Sequence, residues 1–269
     1  MVLSNFATST LRYFIKLAYK GTNYHGWQYQ PGADTVQETL NKALSILLKT
    51  EIDIVGAGRT DSGVHAKQMF AHFDYETEID IPQLVHKLNS FLPKDIAVFN
   101  ILKVSDEAHA RFDATKRTYE YHIHTIKNVF ENDGSYQFQL PLDIDRMNEA
   151  CQILFTHTDF ECFSKVNTDV HTFNCVIFEA NWTRGNSEAS GKQYGNKLIF
   201  TISADRFLRN MVRAIVGTMI NIGTGKISLA DFEKIIESKD RSQAGFSVPA
   251  HGLYLTKIEY KFEGLAKRQ

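Results

Sequence analysis

Cysteine is scarce in this chain, with three in 269 residues, at positions 151, 162 and 175. An odd number cannot form a fully paired disulfide set, and no two stand in a CxxC spacing. Neither a disulfide framework nor a compact zinc ribbon is therefore indicated. Cys151, Cys162 and Cys175 are expected as free thiols, and nothing argues for an oxidising compartment. No apolar run reaches the roughly 20 residues that a membrane-spanning helix needs. Residues 1–12 lack the charged-then-apolar layout of a secretory leader, so a cytoplasmic protein is expected. A surplus of positive charge is also missing. Thirty Lys and Arg face 31 Asp and Glu, for a net charge of −1, which excludes attraction to a polyanion by bulk charge. An RNA site would need charge segregation, and segregation is visible. Residues 74–80 and 143–149 are acidic, while Arg111, Lys116 and Arg117 cluster, as do Arg206, Arg209 and Arg213.

What remains is an ordinary globular composition, 43% hydrophobic and 23% charged, long enough for one large domain or two modest ones. Partial alternation with Ile15, Leu17 and Tyr19 on one face predicts a strand over 13–19. Val36, Leu40, Ala43, Leu44 and Leu47 share a stripe, and Thr35 with Glu38 forms a capping-box pattern, so a helix is expected over 36–48. Strands are expected at 52–57 and 68–74, bracketing a glycine-rich loop, then a helix opening near Pro82 and a strand at 96–104. The second half repeats the order: a strand at 117–124, and a helix with Ile144, Met147, Cys151 and Leu154 on its face. Strands at 173–182 and 198–204 follow, separated by a polar loop over 185–196 that reads as an exposed hairpin. A long helix from Phe207 to about Ile222, a short one opening at Ser228 and a strand at 253–260 complete the chain. Each half is strand-helix-strand-strand-helix-strand, the split ferredoxin-like arrangement. The expectation is an α+β protein of two such halves, 1–108 and 109–269, joined in one extended, mostly antiparallel sheet with helices packed on it.

The stretch Gly56-Ala57-Gly58-Arg59-Thr60-Asp61-Ser62-Gly63-Val64-His65-Ala66 is the richest in chemistry. An aspartate in a glycine-rich loop often only bonds its own backbone. Arg, Thr, Asp and His between glycines is a larger chemical set than a turn needs, and from the residues alone both readings stand. Arg206, Arg209 and Arg213 are spaced three and four apart, which on a helix puts them on one face, opposite Phe207, Leu208, Met211, Val212, Ile215 and Met219. Such a stripe is usually a solvated face. Tyr119, two residues before Tyr121 in a strand, would normally be core. His122 and His124 share a strand face, but two neutral histidines there are more often structural than metal ligands.

The loop from Gly58 to Ala66 resembles the signature of the TruA family of tRNA pseudouridine synthases. Tyr19 to Gln28 is similar to the family's first-strand signature, and Thr35-Val36-Gln37-Glu38 to the following helix start. Arg117-Thr118-Tyr119-Glu120-Tyr121 looks like its Arg-x-Tyr-x-Tyr strand, Phe207 to Arg213 like its C-terminal helix, and Pro249 to Leu255 like its final strand. Ser62 departs from the pattern, standing where alanine is more usual. The resemblance implies the pseudouridine synthase fold and isomerisation of uridine on the 3′ side of the tRNA anticodon stem-loop. It implies a homodimer and tRNA as the partner; a uracil rearranged within one site needs no redox cofactor, and without a clustered ligand set no metal is expected. The resemblance puts the catalytic role on Asp61 and makes Arg213 the residue that pairs with and orients it. Tyr119 is then set against the target base. Arg59 becomes a wedge or phosphate contact during base flipping, and Arg206 and Arg209 phosphate contacts. Asp61 then attacks a sugar carbon, as in retaining glycosidases, or removes a ribose proton to give a glycal. Two other readings compete. A non-catalytic RNA-binding module of the same fold would carry a damaged Asp61, Tyr119 or Arg213, and all three are intact. An N-glycosidic hydrolase would release uracil.

Overall fold

A computed structural model describes residues 10–166, 170–185 and 197–261. Residues 186–196, most of the polar loop read above as an exposed hairpin, lie outside the described residues. The first half runs β1 (Leu11–Tyr19), α1 (Val36–Leu48), β2 (Val55–Gly56), β3 (His65–Tyr75), α2 (Ile81–Phe91) and β4 (Ile96–Lys103). The second runs β5 (Ala114–His124), β6 (Tyr136–Gln137), α3 (Ile144–Leu154), β7 (Ile177–Gly185), β8 (Lys197–Ala204), α4 (Met211–Gly223), α5 (Leu229–Ser238) and β9 (Leu253–Tyr260).

Local chemistry explains most of these boundaries. The Thr35 hydroxyl caps α1 by accepting from the Glu38 amide, Asp80 caps α2 and Asp143 caps α3 in the same way, and Ser228 with Asp231 closes a full capping box on α5. Each cap satisfies an amide that the first helical turn leaves open.

In the described residues all strands join one sheet, ordered β4-β1-β3-β9-β5-β8-β7, with β2 beside β3 and β6 beside β5. Within each half the order is that of a ferredoxin-like unit: fourth, first, third, second strand. The expected α+β architecture, two such units in a mostly antiparallel sheet, is what the chain adopts. Like the short β5–β6 pair, the seam between units departs from antiparallel pairing. There β3 meets β9 in parallel over only two residue pairs, His65 with Tyr254 and Ala66 with Leu255. Beyond that point the strands diverge, and the Gln68 side chain reaches across to accept from the Ile258 amide at 2.7 Å.

Two hydrophobic clusters flank the seam, and each borrows from the other half. Leu255, Ile258 and Tyr260 of β9 pack in the first, built on β1, β3, α1 and α2. Val64, from the loop before β3, packs in the second, with α3, α4, β7 and β8.

Three sequence expectations need correction. The strand expected at 52–57 shrinks to Val55–Gly56, because side chains of α1 take the preceding amides: Ser45 Oγ accepts from Ile52 and Asn41 Oδ1 from Ile54. The strand expected at 173–182 runs instead from Ile177 to Gly185. Residues 173–175 pair with 158–160 through Phe160 N to Phe173 O and Cys175 N to Thr158 O. The long helix begins at Met211, not at Phe207. Asn210 sits in the left-handed region (φ 69°), a conformation its short amide side chain tolerates better than most, so residues 207–210 form a turn ahead of α4. All three cysteines are free and buried, and burial pushes each thiol up to about 12.

A strap over 244–250 crosses α4 and is bonded along its length. Gly245 donates to Thr218 Oγ1 at 2.9 Å, and Arg241 donates to the Gly245 carbonyl at 3.1 Å and to Ser247 Oγ at 2.9 Å. Close approach requires Gly217, since a Cβ there would fall on the Phe246 carbonyl oxygen. Gly217→Ala should therefore destabilise the fold by about 1–3 kcal/mol, the usual cost of overpacking. A lowered urea midpoint with unchanged m-value checks this, and an unshifted midpoint would mean that the strap yields freely.

Candidate active site

Asp61 belongs to a turn whose every neighbour is tied down. Val64 N donates to the Asp61 carbonyl at 3.1 Å, and Gly63 in third position has φ 79°, the positive value that a type II turn demands. Of the three glycines around the aspartate, Gly63 alone adopts positive φ. Buried Thr60 bonds the Tyr19 hydroxyl through its own (2.9 Å), while its carbonyl accepts from Trp27 N at 3.2 Å. The Ser62 hydroxyl donates to the Tyr24 carbonyl at 3.2 Å, so the residue that departs from the family pattern adds a backbone tie and leaves the Asp61 carboxylate alone.

His65 anchors the far end of the loop. Its Nδ1 accepts from Gly21 N at 2.9 Å, which fixes the proton on Nε2, and that nitrogen donates to the His251 carbonyl at 3.0 Å. The ring thus joins the end of β1 to the start of β9 as a neutral imidazole, and burial holds its pKa below the ordinary value.

The carboxylate faces two guanidiniums from the other half. Arg213 Nη1 lies 3.6 Å from Asp61 Oδ2, and Arg209 Nε lies 3.6 Å from Oδ1. These are ion pairs, longer than hydrogen bonds, and they leave the carboxylate oxygens free to meet a substrate. Arg213 and Arg209 do not share a helix face as the spacing suggested: Arg213 is in the first turn of α4, and Arg209 precedes the helix. Both reach Asp61 nonetheless, because the left-handed Asn210 folds the turn back. Their side chains differ in freedom. Arg213 is 20% exposed and donates Nε to the Val248 carbonyl at 2.7 Å, whereas Arg209 is 61% exposed.

Tyr119 on β5 lines the same site. Its ring packs edge-on against Phe207 with centroids 5.1 Å apart, and burial, opposed by Arg117 and assisted by Asp61, pushes its hydroxyl up to about 12. Tyr121, two residues on, is fully buried and donates to the Pro249 carbonyl at 2.9 Å. Arg59 is exposed beside the loop. Arg206 donates its backbone amide to Asp205 Oδ1 at 2.7 Å, which holds the start of the arginine turn.

The basic cluster at 111–117 divides. Arg111 is exposed, but Arg117 turns inward and spends its guanidinium on backbone carbonyls, so it is not a phosphate contact. Sequence reasoning read Arg117 only as a member of a basic cluster and of the family's strand motif, and Phe207 only as part of an apolar stripe. Strand alternation puts Arg117 on the same face as Tyr119 and would have signalled the first. Phe207 was hidden by the helix register assumed for it. His122 contacts Glu120 Oε2 at 2.9 Å, and among the described residues no group of three or more His, Cys, Asp or Glu could hold a metal ion.

The family model described as tRNA pseudouridine synthase matches residues 16–113 and 150–261. The chain belongs to the tRNA pseudouridine synthase family. It is similar to tRNA pseudouridine synthase A of Parabacteroides distasonis, 53% identical over 94% of this chain and 97% of that protein. The Bacteroides fragilis protein of that name is 51% identical over 95% and 98%. That of Bacillus subtilis is 40% identical over 91% and 97%. The matched segments of this synthase family member include Asp61, Tyr119's flanking strand β9 and both arginines; Tyr119 itself falls between the two segments matched by the family model.

The His65 bridge gives a pH test. Its folded pKa is depressed, so its contribution to stability is full above the unfolded value of about 6.5 and is lost as pH falls through the folded value. Burial lowers His72 to about 4 in the same direction. Stability should fall between pH 7 and pH 5, and the fall should be shallower in His65→Gln, which keeps an acceptor and a donor but does not titrate. Equal slopes for the two proteins in urea titrations at both pH values would exclude His65 as a contributor.

Proposed function

We propose that this chain converts uridine to pseudouridine in tRNA and that Asp61 is the residue that reacts. One observation carries the proposal: a part-exposed carboxylate on a rigid turn faces two guanidiniums beside an aromatic side chain. Isomerisation breaks the bond from uracil N1 to ribose C1′, turns the base and rejoins it through C5. The atoms of the uridine are conserved throughout, so the reaction calls for no net oxidation or reduction. What it demands is a nucleophile or base at the sugar and a site that holds the detached uracil. A free aspartate side chain is ionised at neutral pH, its reference pKa being about 3.9. It can attack C1′ or remove a ribose proton.

In this reading Arg213, fixed through Val248, orients the carboxylate. Tyr119 stacks against the flipped base, with Phe207 behind it. Arg59 and Arg206 contact the RNA around the flipped nucleotide, and Arg209 exchanges its ion pair with Asp61 for a phosphate. The names of the relatives support tRNA as the substrate, and the family resemblance supports the 3′ side of the anticodon stem-loop as the target. It likewise supports a cytoplasmic homodimer. Among the described residues no helix is long and apolar enough to cross a membrane.

Two experiments test the assignment. Asp61→Asn keeps size and hydrogen bonding but removes the charge. It should bind tRNA, since affinity comes mainly from phosphate contacts and stacking, yet form no pseudouridine over hours with protein in excess. Mass spectrometry of the tRNA, mapped by position, reads the result. Substantial product, with reversion to Asp excluded, would place the reacting group elsewhere, and free uracil from the native protein would indicate a hydrolase. Tyr119→Phe should retain most single-turnover activity, while Tyr119→Ala loses stacking worth roughly 1–3 kcal/mol. Two variants indistinguishable from wild type would remove Tyr119 from the site.

A further inference from the structure

The structure assigns a positioning role in this reaction to Arg117, a residue that touches neither the carboxylate nor the open part of the site. Its guanidinium is a branch point between the two halves. Nη2 donates to the Ala57 carbonyl at 3.0 Å and to the Arg111 carbonyl at 2.7 Å. Nη1 donates to the Asp205 carbonyl at 2.8 Å and to the Ala114 carbonyl at 3.1 Å. Two of these acceptors stand at the stems of the catalytic elements. Ala57 is four residues before Asp61, and its own amide is held by the Phe70 carbonyl of β3 at 2.8 Å. Asp205 opens the turn that carries Arg209 and leads into Arg213, and its carboxylate accepts from Val176 N at 2.8 Å and Arg206 N at 2.7 Å. One nitrogen therefore grips the stem of the carboxylate loop and its neighbour grips the stem of the arginine turn.

The choice of arginine follows from this geometry. A guanidinium is planar, with donors in a fixed fork, so the separation of the two stems is set by bonded atoms and not by a flexible chain. Charge-assisted hydrogen bonds are roughly twice as strong as neutral ones. All four acceptors are backbone carbonyls, and burial lowers the guanidinium's pKa from its ordinary value. A partly buried cation on neutral acceptors is a costly way to obtain stability alone. The need for it arises at the seam, where β3 and β9 pair over only two residue pairs before they part. There the ladder does not hold the Asp61 loop in register with Arg213, and Arg117 spans the gap.

This inference rests on Asp61 being the reacting residue. Arg117→Lys keeps the charge and loses the fork. In single-turnover assays with excess protein, Arg117→Lys should slow pseudouridine formation by about 10²-fold, the scale of a misplacement near 1 Å, with tRNA affinity within threefold of wild type. A double-mutant cycle with Arg213→Lys separates positioning from general support. If Arg117 acts by aligning Asp61 with Arg213, the Arg117→Lys penalty should shrink at least fivefold in the Arg213→Lys background. Guanidinium added to Arg117→Ala should restore part of the rate. Penalties that simply multiply, a rate within threefold of wild type, or joint loss of folding cooperativity, affinity and rate would each overturn the positioning role. An active Asp61→Asn protein would instead sink the assignment of Asp61, so the two failures are distinguishable.

Discussion

A single carboxylate facing two guanidiniums across the joint between two half-sheets is the constraint around which this molecule is organised. Asp61 comes from the first half, Arg209 and Arg213 from the second, and each ion pair spans 3.6 Å. Neither half contains the site. The halves meet in parallel over two residue pairs, a junction too short to set side chains to within an ångström. The remaining precision comes from elsewhere: the His65 ring between Gly21 and His251, the Gln68 amide on Ile258, the Arg117 fork, and reciprocal bonds between Arg213 and Val248.

The same economy explains why the last strand and the Asp61 loop each pack into the other half's core. Leu255, Ile258 and Tyr260 bury against the first cluster, and Val64 against the second. Separating the halves would expose both sets, so hydrophobic burial opposes any loosening of the joint. Polar bonds then define the register that burial alone leaves open, because apolar contacts are non-directional and hydrogen bonds are not.

The charge distribution fits a protein that handles RNA without an excess of positive charge. Net charge is −1, and Arg12, Lys103 and Lys197 are engaged with carboxylates. The arginines near the site are used differently. Arg117 is spent on carbonyls, Arg213 divides between Val248 and Asp61, and exposed Arg209 and Arg59 remain at the rim. Local placement, not bulk charge, supplies the cations beside the aspartate.

Much of this was legible in the sequence. Helix starts were readable because caps are local: Thr35 with Glu38 and Ser228 each lie within four residues of the amides involved. The alternation of β1 and the stripe of α1 follow from periods of two and 3.6. The Asp61 loop stood out because Arg, Thr, Asp and His between glycines is a larger chemical set than a turn needs, and the family resemblance gave roles to Asp61, Arg213 and Tyr119. The rest was decided by partners distant in sequence. Residues 52–54 read as strand, but α1 side chains took their amides. Residues 207–210 read as helix, but Asn210 adopts the left-handed region and its amide reaches Ser247, so Arg209 meets Asp61 from a turn. Arg117 read as surface charge, and only the approach of Ala57 and Asp205 from opposite halves gave it four carbonyls to hold. The sequence by itself determined where most helices and strands lie and which residues carry reactive groups, since propensity, capping and side-chain chemistry act within a few residues. Tertiary structure alone decided which of those groups meet, because that depends on bonds between atoms that the chain brings together only when it closes.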